Sequence, residues 1–424
     1  MDYPLKRKEI ADGVYFNSLV DSKFKHNRIS INLVLPLCEE KVSKLAILPF
    51  ILRQGSKKYP SLMEINKKLS DLYGAGLSAD VSKFGDLQIL SLSITGIKSS
   101  LALEGEDLLK EYAELVADCV INPNVSGNAF DEGVFQTEKQ NLIDEIRSEL
   151  NDKRSYAVGK CRSEMLKGKR SAIKKYGTEE TANLVTAENA KEAYDNMISG
   201  ARIEIMFVGS EEPQNLDSLF ADKFKSIKRN PVQYEKEQTN YEVTKTNEIT
   251  EEMDITQGKL VLGMKLCGGD IDETAAKFAV ALYGGTATSL LFKNVREKLS
   301  LCYYCAARYD KSVNIIFVDS GIMQENKQKA QDEILRQLEI LKKGEFSDED
   351  MLNTRLVLKT SLKSVTDYLS SIENWYLTQI LTDKKNTPED ELLKLDNITR
   401  EDITKVANKI YPDTFYLLKG KGDK

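Results

Sequence analysis

The chain has 424 residues, 41% hydrophobic and 30% charged, with a formal net charge of −6; that length is too great for one ordinary core, so two or more domains are expected. Its Lys and Arg are scattered, with only short runs such as 167–170, which argues against nucleic-acid binding. No stretch approaches 18 uncharged apolar residues, the N-terminal MDYPLKRKEI has no apolar secretory core, and six dispersed cysteines suit reduced thiols, so a cytoplasmic protein with no membrane span is expected.

In the first half, residues 28–38 (RISINLVLPLC) alternate and are β-branched, which predicts a strand. Residues 42–54 predict a helix that Pro49 kinks or ends. A turn at Gly55-Ser56 leads to an amphipathic helix over 61–72. Strands are expected at 77–83 and 87–97, and helices at 103–120, 130–150, 156–166 and 187–198. A strand over 202–208 closes this half.

The second half repeats that order. Strands are expected at 259–267, 303–309, 314–322 and 414–418. Helices are expected at 273–283, 289–299, 330–343, from 348 to about 370, 373–381 and 400–410. Thr186-Ala-Glu-Asn and Thr399-Arg-Glu-Asp are matching helix starts near the two ends. A duplication on this scale implies two similar α+β domains, each an antiparallel sheet with helices on one face. The boundaries read 1–226 and 255–424, with the polar stretch 227–254 as linker.

Residues 282–309, LYGGTATSLLFKNVREKLSLCYYCAARY, carry the most chemistry. Leu290, Leu291, Val295 and Leu299 form an apolar helical stripe, Arg296 lies on that helix, and Tyr303 follows on a strand. An arginine and a tyrosine on adjoining rigid elements can grip a peptide backbone or a carboxylate; a surface arginine beside a half-buried tyrosine is the plainer alternative. Cys302 and Cys305 form a CxxC, but on a regular strand positions i and i+3 point to opposite faces, so neither redox nor metal chemistry is expected there.

The segment SLLFKNVREKLSLCY (289–303) resembles the S-R-L-F-x-x-V-R-E-K-x-x-L-x-Y motif of the pitrilysin/mitochondrial-processing-peptidase family of insulinase-like zinc peptidases, peptidase family M16. Leu290 stands where that motif usually has arginine. FKHN (24–27), LYGA (72–75) and QGKLVLG (257–263) extend the likeness over nearly the whole chain, and towards a small bacterial non-catalytic branch of the family. The resemblance implies two duplicated LuxS/MPP-like domains, and substrate contacts from Arg296 and Tyr303.

That family binds zinc through H-x-x-E-H on a helix, with the glutamate as base. Counting back from Gly55-Ser56 puts its three positions at Ala46, Pro49 and Phe50, none of which can hold a metal or a proton. The chain's one histidine, His26, lies outside this helix and is expected at an exposed loop or strand edge. Glu138 and Glu145 match the E-x6-E spacing of the family's third ligand. Without histidines they read as remnants, two solvated carboxylates on one helix face.

The resemblance therefore implies a chain without cofactor, inactive alone, paired with an M16 homologue that keeps H-x-x-E-H and carries the zinc. This chain would help hold a peptide or unfolded polypeptide in a closed chamber. A homodimer is the other assembly left open. The alternative function is a non-proteolytic peptide-binding or scaffold protein in a modification pathway, as the branch's association with elongation factor P modification suggests.

Overall fold

The alternating strands of the first half assemble into a six-stranded sheet in the computed structural model, which describes residues 3–421. In chain order the strands are β1 (Lys6–Ala11), β2 (Val14–Val20), β3 (His26–Pro36), β4 (Gly76–Phe84), β5 (Leu87–Ile97) and β8 (Arg202–Gly209). The short β6 (Val125–Ser126) and β7 (Ala129–Phe130) form a separate ribbon. The order across the sheet is β1-β2-β8-β3-β5-β4. Every pairing is antiparallel except β2 with β8, which is parallel.

Period-two alternation gives this sheet two apolar faces. In β8, Ile203, Ile205 and Phe207 join the main core with Ile29, Ile31 and Leu33 of β3, while Met206 and Val208 face the other way. Helices Leu108–Ile121, Glu132–Ser148 and Ala187–Gly200 supply Tyr112, Phe135 and Tyr194 to the main core. Thr186 starts the last of these with a capping box closed by Asn189. The second face is covered by helix Leu369–Leu381, whose Ile372, Tyr376 and Ile380 pack on Leu19, Met206 and Val208. Its Glu373 accepts from the Ser30 hydroxyl at 2.6 Å and from the Arg28 guanidinium.

The second sheet has five strands: β9 (Asn247–Met253), β10 (Gly258–Leu266), β11 (Cys302–Asp310), β12 (Ile315–Ile322) and β13 (Ile410–Gly420), in the order β11-β12-β10-β13-β9. Here β13 and β9 are the parallel pair. One face carries helix Lys153–Met165, whose Ala157, Cys161 and Met165 pack on Val261, Ile315, Phe317 and Tyr416. The helix crosses at Gly263, where a Cβ would stand 2.1 Å from Met165 Sδ and 2.9 Å from Cys161 Sγ. Leu260, Leu262 and Met264 of β10 are buried on the opposite side. Thr399 caps helix Arg400–Ala407 in a box with Asp402, as Thr186 does in the first half.

The fold is thus α+β and repeats one plan, but it departs from the expected division. Unit 1 comprises Met1–Arg147, Ile173–Lys236 and Val365–Thr387, and unit 2 comprises Ser148–Ala172, Glu237–Ser364 and Pro388–Lys424. Each sheet is mixed and has helix on both faces, and each unit takes its second-face helix from the other half of the sequence. An amphipathic stripe records that a helix is covered, not which sheet covers it, so the boundaries 1–226 and 255–424 missed the exchange. The polar stretch 227–254 is also more structured than a linker. Tyr234 packs beside Val34 and Leu377, Tyr241 is buried with its hydroxyl 2.7 Å from the Val313 carbonyl, and 247–253 is β9.

Candidate functional site

The positions that correspond to a metal-binding helix lie on two short helices, Val42–Ala46 and Leu48–Arg53, which meet at Ile47 with Pro49 in the first turn of the second. Proline is tolerated there because its missing N–H would be unpaired anyway. Ala46 and Pro49 are buried and Phe50 is half-buried against the main core. None offers a lone pair for a metal.

Glu138 is 4% exposed, so it is not the solvated carboxylate expected from the sequence. Gln54 Nε2 donates to its Oε1, and Asn141 Nδ2 donates to its Oε2 at 3.2 Å. Glu145, two turns on, is exposed, because the helix has run past the core that covers Glu138. Its seven-residue spacing gives a shared face but not a shared environment. The donor set does not fit zinc: three side chains without donors, and one carboxylate already held by two amides. Among the described residues no group of three or more His, Cys, Asp and Glu is arranged to hold a metal. His26 is exposed at the start of β3, opposite Ile97.

The 282–309 stretch is built differently from a plain helix and strand. Helix Glu273–Val280 widens into a π-helical turn, Ala281–Gly285, and the next helix is π-helical over Phe292–Lys298. Such wide turns are uncommon and concentrate at functional sites. Gly284 is needed because a Cβ there would stand 2.7 Å from the Ala307 backbone nitrogen and Cβ of β11. The wide turn continues into the strand: Leu299 N donates to Asn294 O at 3.2 Å and Leu301 N to Val295 O at 3.0 Å, with Ser300 at φ 51°. Asn294 Nδ2 ties the helix to Gln337 Oε1 at 3.1 Å.

Arg296 stands out from this helix. Its guanidinium lies 4.6 Å over the Phe292 ring and 3.5 Å from Glu297 Oε1, with 41% of the side chain exposed. Tyr303 is 62% exposed, and its hydroxyl reaches Met323 Sδ at 3.8 Å. Both are exposed on unit 2, seven positions apart in the chain across the turn at Ser300. Tyr303 is exposed because β11 bulges there: Cys302 pairs with Ile322 and Tyr304 with Gly321, leaving Tyr303 as the extra residue.

The same bulge corrects the reading of the CxxC. By absorbing one residue it turns Cys302 and Cys305, both buried, to one face of β11, where each thiol shifts the other. The neighbouring Cys305 thiol lowers the Cys302 thiol, with the Arg296 charge helping, and Cys302 in turn raises the Cys305 thiol together with burial. On the other face Tyr304 is braced by Arg154, whose guanidinium lies 4.2 Å over its ring. Arg154 and Arg308 converge on Asp319, which is 1% exposed; Arg308 Nη2 donates to Oδ1 at 2.7 Å. Burial pushes the Tyr304 phenol up to about 12. The bracing set drew no notice in sequence, because Arg154 lies some 150 positions from its partners; the lone Asp319 in the apolar run IIFVDSGI was the available signal.

At unit 1's sheet edge, β4 pairs with β5 alone among the described strands, so its other side is an open edge. Among the described residues no helix is long and apolar enough to cross a membrane.

Residues 184–358 match the family model described as the peptidase M16 inactive domain. Over 422 residues, 99% of either chain, the sequence is 29% identical to a Bacillus subtilis (strain 168) protein named probable inactive metalloprotease YmfF. A solved conserved protein from Enterococcus faecalis V583 superposes with a TM-score of 0.90 at 23% identity, covering 99% of this chain and 100% of that one. A Helicobacter pylori protease does so at 0.81 with 16% identity, covering 98% and 99%. At those identities the two structures speak for the fold alone.

Proposed function

We propose that this chain is an inactive subunit of the M16 peptidase family, of the YmfF-like non-catalytic branch, and that it holds a peptide or unfolded polypeptide for a second M16 chain bearing H-x-x-E-H and the zinc. The observation that carries this reading is the contrast between the two halves of the motif set. Ala46, Pro49 and Phe50 are packed apolar positions, while Arg296 and Tyr303 are held outward by a π-turn and a bulge. A chain that had lost all use for substrate would have no need of two exposed polar ends on backbone this irregular.

In this reading the planar Arg296 guanidinium takes a substrate carbonyl or carboxylate through paired N–H donors. Phe292 beneath it limits its rotamers and so the entropy lost on binding. The Tyr303 hydroxyl, whose one hydrogen bond among the described residues is to a weakly accepting thioether, is available to donate to a substrate carbonyl. The unpaired edge of β4 supports a peptide-binding role, since an extended segment can add to such an edge as another strand. No step of hydrolysis is assigned to this chain. Its place is the cytoplasm, with the metal-bearing homologue as heterodimer partner.

The test is co-expression with an H-x-x-E-H homologue, co-purification, and peptidase assay of the pair. The reading expects a stable complex whose activity falls when Arg296→Ala or Tyr303→Phe is introduced. A chain that forms homodimers and never binds such a homologue would instead favour the scaffold role.

A further inference from the structure

The bulge at Tyr303 places two nucleophilic side chains where a regular strand would not. Cys302 lies opposite Ile322 and Cys305 opposite Ser320, so only two ladder positions separate the cysteines. Two strand positions span about 6.6 Å between Cα atoms and share a face. That lies inside the range of roughly 4.4–6.8 Å over which a disulfide forms. Three positions on a regular strand would span about 10 Å and face opposite ways. Ala307 continues the row, and Gly284 of the π-helical turn Ala281–Gly285 packs on it. The other cysteines of unit 2, Cys161 and Cys267, pack in the cluster on the opposite face of the sheet.

The two thiols differ in access and in acidity. Cys302 is 8% exposed and adjoins the outward Tyr303, whereas Cys305 is 4% exposed and lies on the side of the buried Tyr283. The Cys305 thiol, and then the Arg296 charge, lower the Cys302 thiol; Cys302 and burial raise the Cys305 thiol. A lowered thiol near the surface attacks an oxidant, and a second thiol behind it resolves the product. Sulfurs this well covered admit a small oxidant and exclude the thiol of another protein.

We propose that Cys302 and Cys305 are a dithiol that a hydroperoxide oxidises reversibly to a disulfide across the bulge. The Cys302 thiolate attacks one peroxide oxygen and the O–O bond breaks. Sulfenic acid forms on Cys302, and the departing hydroxide takes up the proton that Cys302 gave up. The Cys305 sulfur then attacks the Cys302 sulfur. The S–S bond forms, the S–O bond breaks, and the hydroxyl leaves as water with the Cys305 proton. Two electrons pass from the two thiols to the peroxide; for hydrogen peroxide the products are two waters. An added dithiol reverses the step by thiol–disulfide exchange. The crosslink closes a ring through Tyr303 and Tyr304, and so fixes the bulge that exposes Tyr303.

Thiol mapping of the reduced full chain after treatment with hydrogen peroxide tests this. The folded protein is treated, then unfolded, alkylated, digested with trypsin and analysed by mass spectrometry; peptide 299–308 carries both cysteines. The expected result is that this peptide loses both alkylatable thiols and is two hydrogens lighter, and that dithiothreitol restores both. The buried Cys119 and Cys161 should still alkylate in full. In Cys305→Ala the sulfenic acid on Cys302 has no resolving thiol, so dimedone should trap it there and not in the parent. Full alkylation of Cys302 and Cys305 after peroxide, or oxygen added to Cys302 in the parent without the disulfide, overturns the proposal. The parent measurement does not depend on whether Cys305→Ala folds. Because the readout is the thiols themselves, it stands or fails separately from the proposed substrate-holding role.

Discussion

Replacing Glu373 by alanine removes the one carboxylate that ties helix Leu369–Leu381 to the sheet of unit 1. Its side chain is 7% exposed and that of Arg28 20%, so the pair lies largely out of water. Removal of one partner leaves the Arg28 charge, among the described residues, with the Thr95 hydroxyl at 3.2 Å, and leaves the buried Ser30 hydroxyl without its acceptor. Breaking a buried pair in this way costs about 3–5 kcal/mol. The chain's single tryptophan, Trp375, sits on the same helix, half-buried, with Nε1 2.9 Å from the Asn386 carbonyl. Its fluorescence therefore reports the docking of this helix directly. With a urea dependence of about 2–3 kcal/mol per molar, the midpoint of the tryptophan transition should fall by about 1–2 M. The companion Arg28→Met/Glu373→Leu, which removes both charges, should recover most of that loss. A tryptophan midpoint unchanged in Glu373→Ala would refute the claim that this helix is an integral layer of unit 1.

Two further outcomes follow from packing and charge in unit 2. Gly263→Val puts a branched side chain where Met165 and Cys161 already stand, and should cost about 1–3 kcal/mol, with Gly263→Ala costing less; calorimetric unfolding checks both, and a valine variant as stable as the parent would show that helix Lys153–Met165 does not cross there. Cys305→Ala removes the neighbouring thiol that lowers the Cys302 thiol, so the pH midpoint of Cys302 alkylation, followed by mass spectrometry, should move up; an unmoved midpoint would mean the bulge does not bring the two thiols together.

Much of this fold is legible in the sequence because it depends on local pattern. The alternation in residues 28–38 and 87–97 marks β3 and β5, and the Thr186 and Thr399 caps are visible as spacing. The exposed β1, with little apolar alternation, is not legible. Neither is the helix exchange, because the apolar stripe on 153–165 would suit either sheet, and only the crossing at Gly263 decides. The candidate site divides in the same way. Arg296, Tyr303 and the positions Ala46, Pro49 and Phe50 can be found from motif spacing, since those are properties of residue identity. The bulge that exposes Tyr303 and pairs Cys302 with Cys305 depends on register against β12, which no single strand encodes. Glu204 could have been singled out: one acid in the apolar strand RIEIMFVG must find cations if it is buried, and it finds two.

The proposed role of this chain, holding substrate for a catalytic partner, is tested most directly by kinetics of the reconstituted pair. Arg296 and Tyr303 are exposed, so Arg296→Ala and Tyr303→Phe should change stability by less than about 0.5 kcal/mol. A hydrogen bond to a charged group contributes about 1.5–3 kcal/mol, so Arg296→Ala should lower kcat/KM of the pair about 10- to 150-fold. Tyr303→Phe should lower it by a smaller factor, with the complex still intact by size-exclusion chromatography. Full peptidase activity in both variants, in a complex that still forms, would contradict the account.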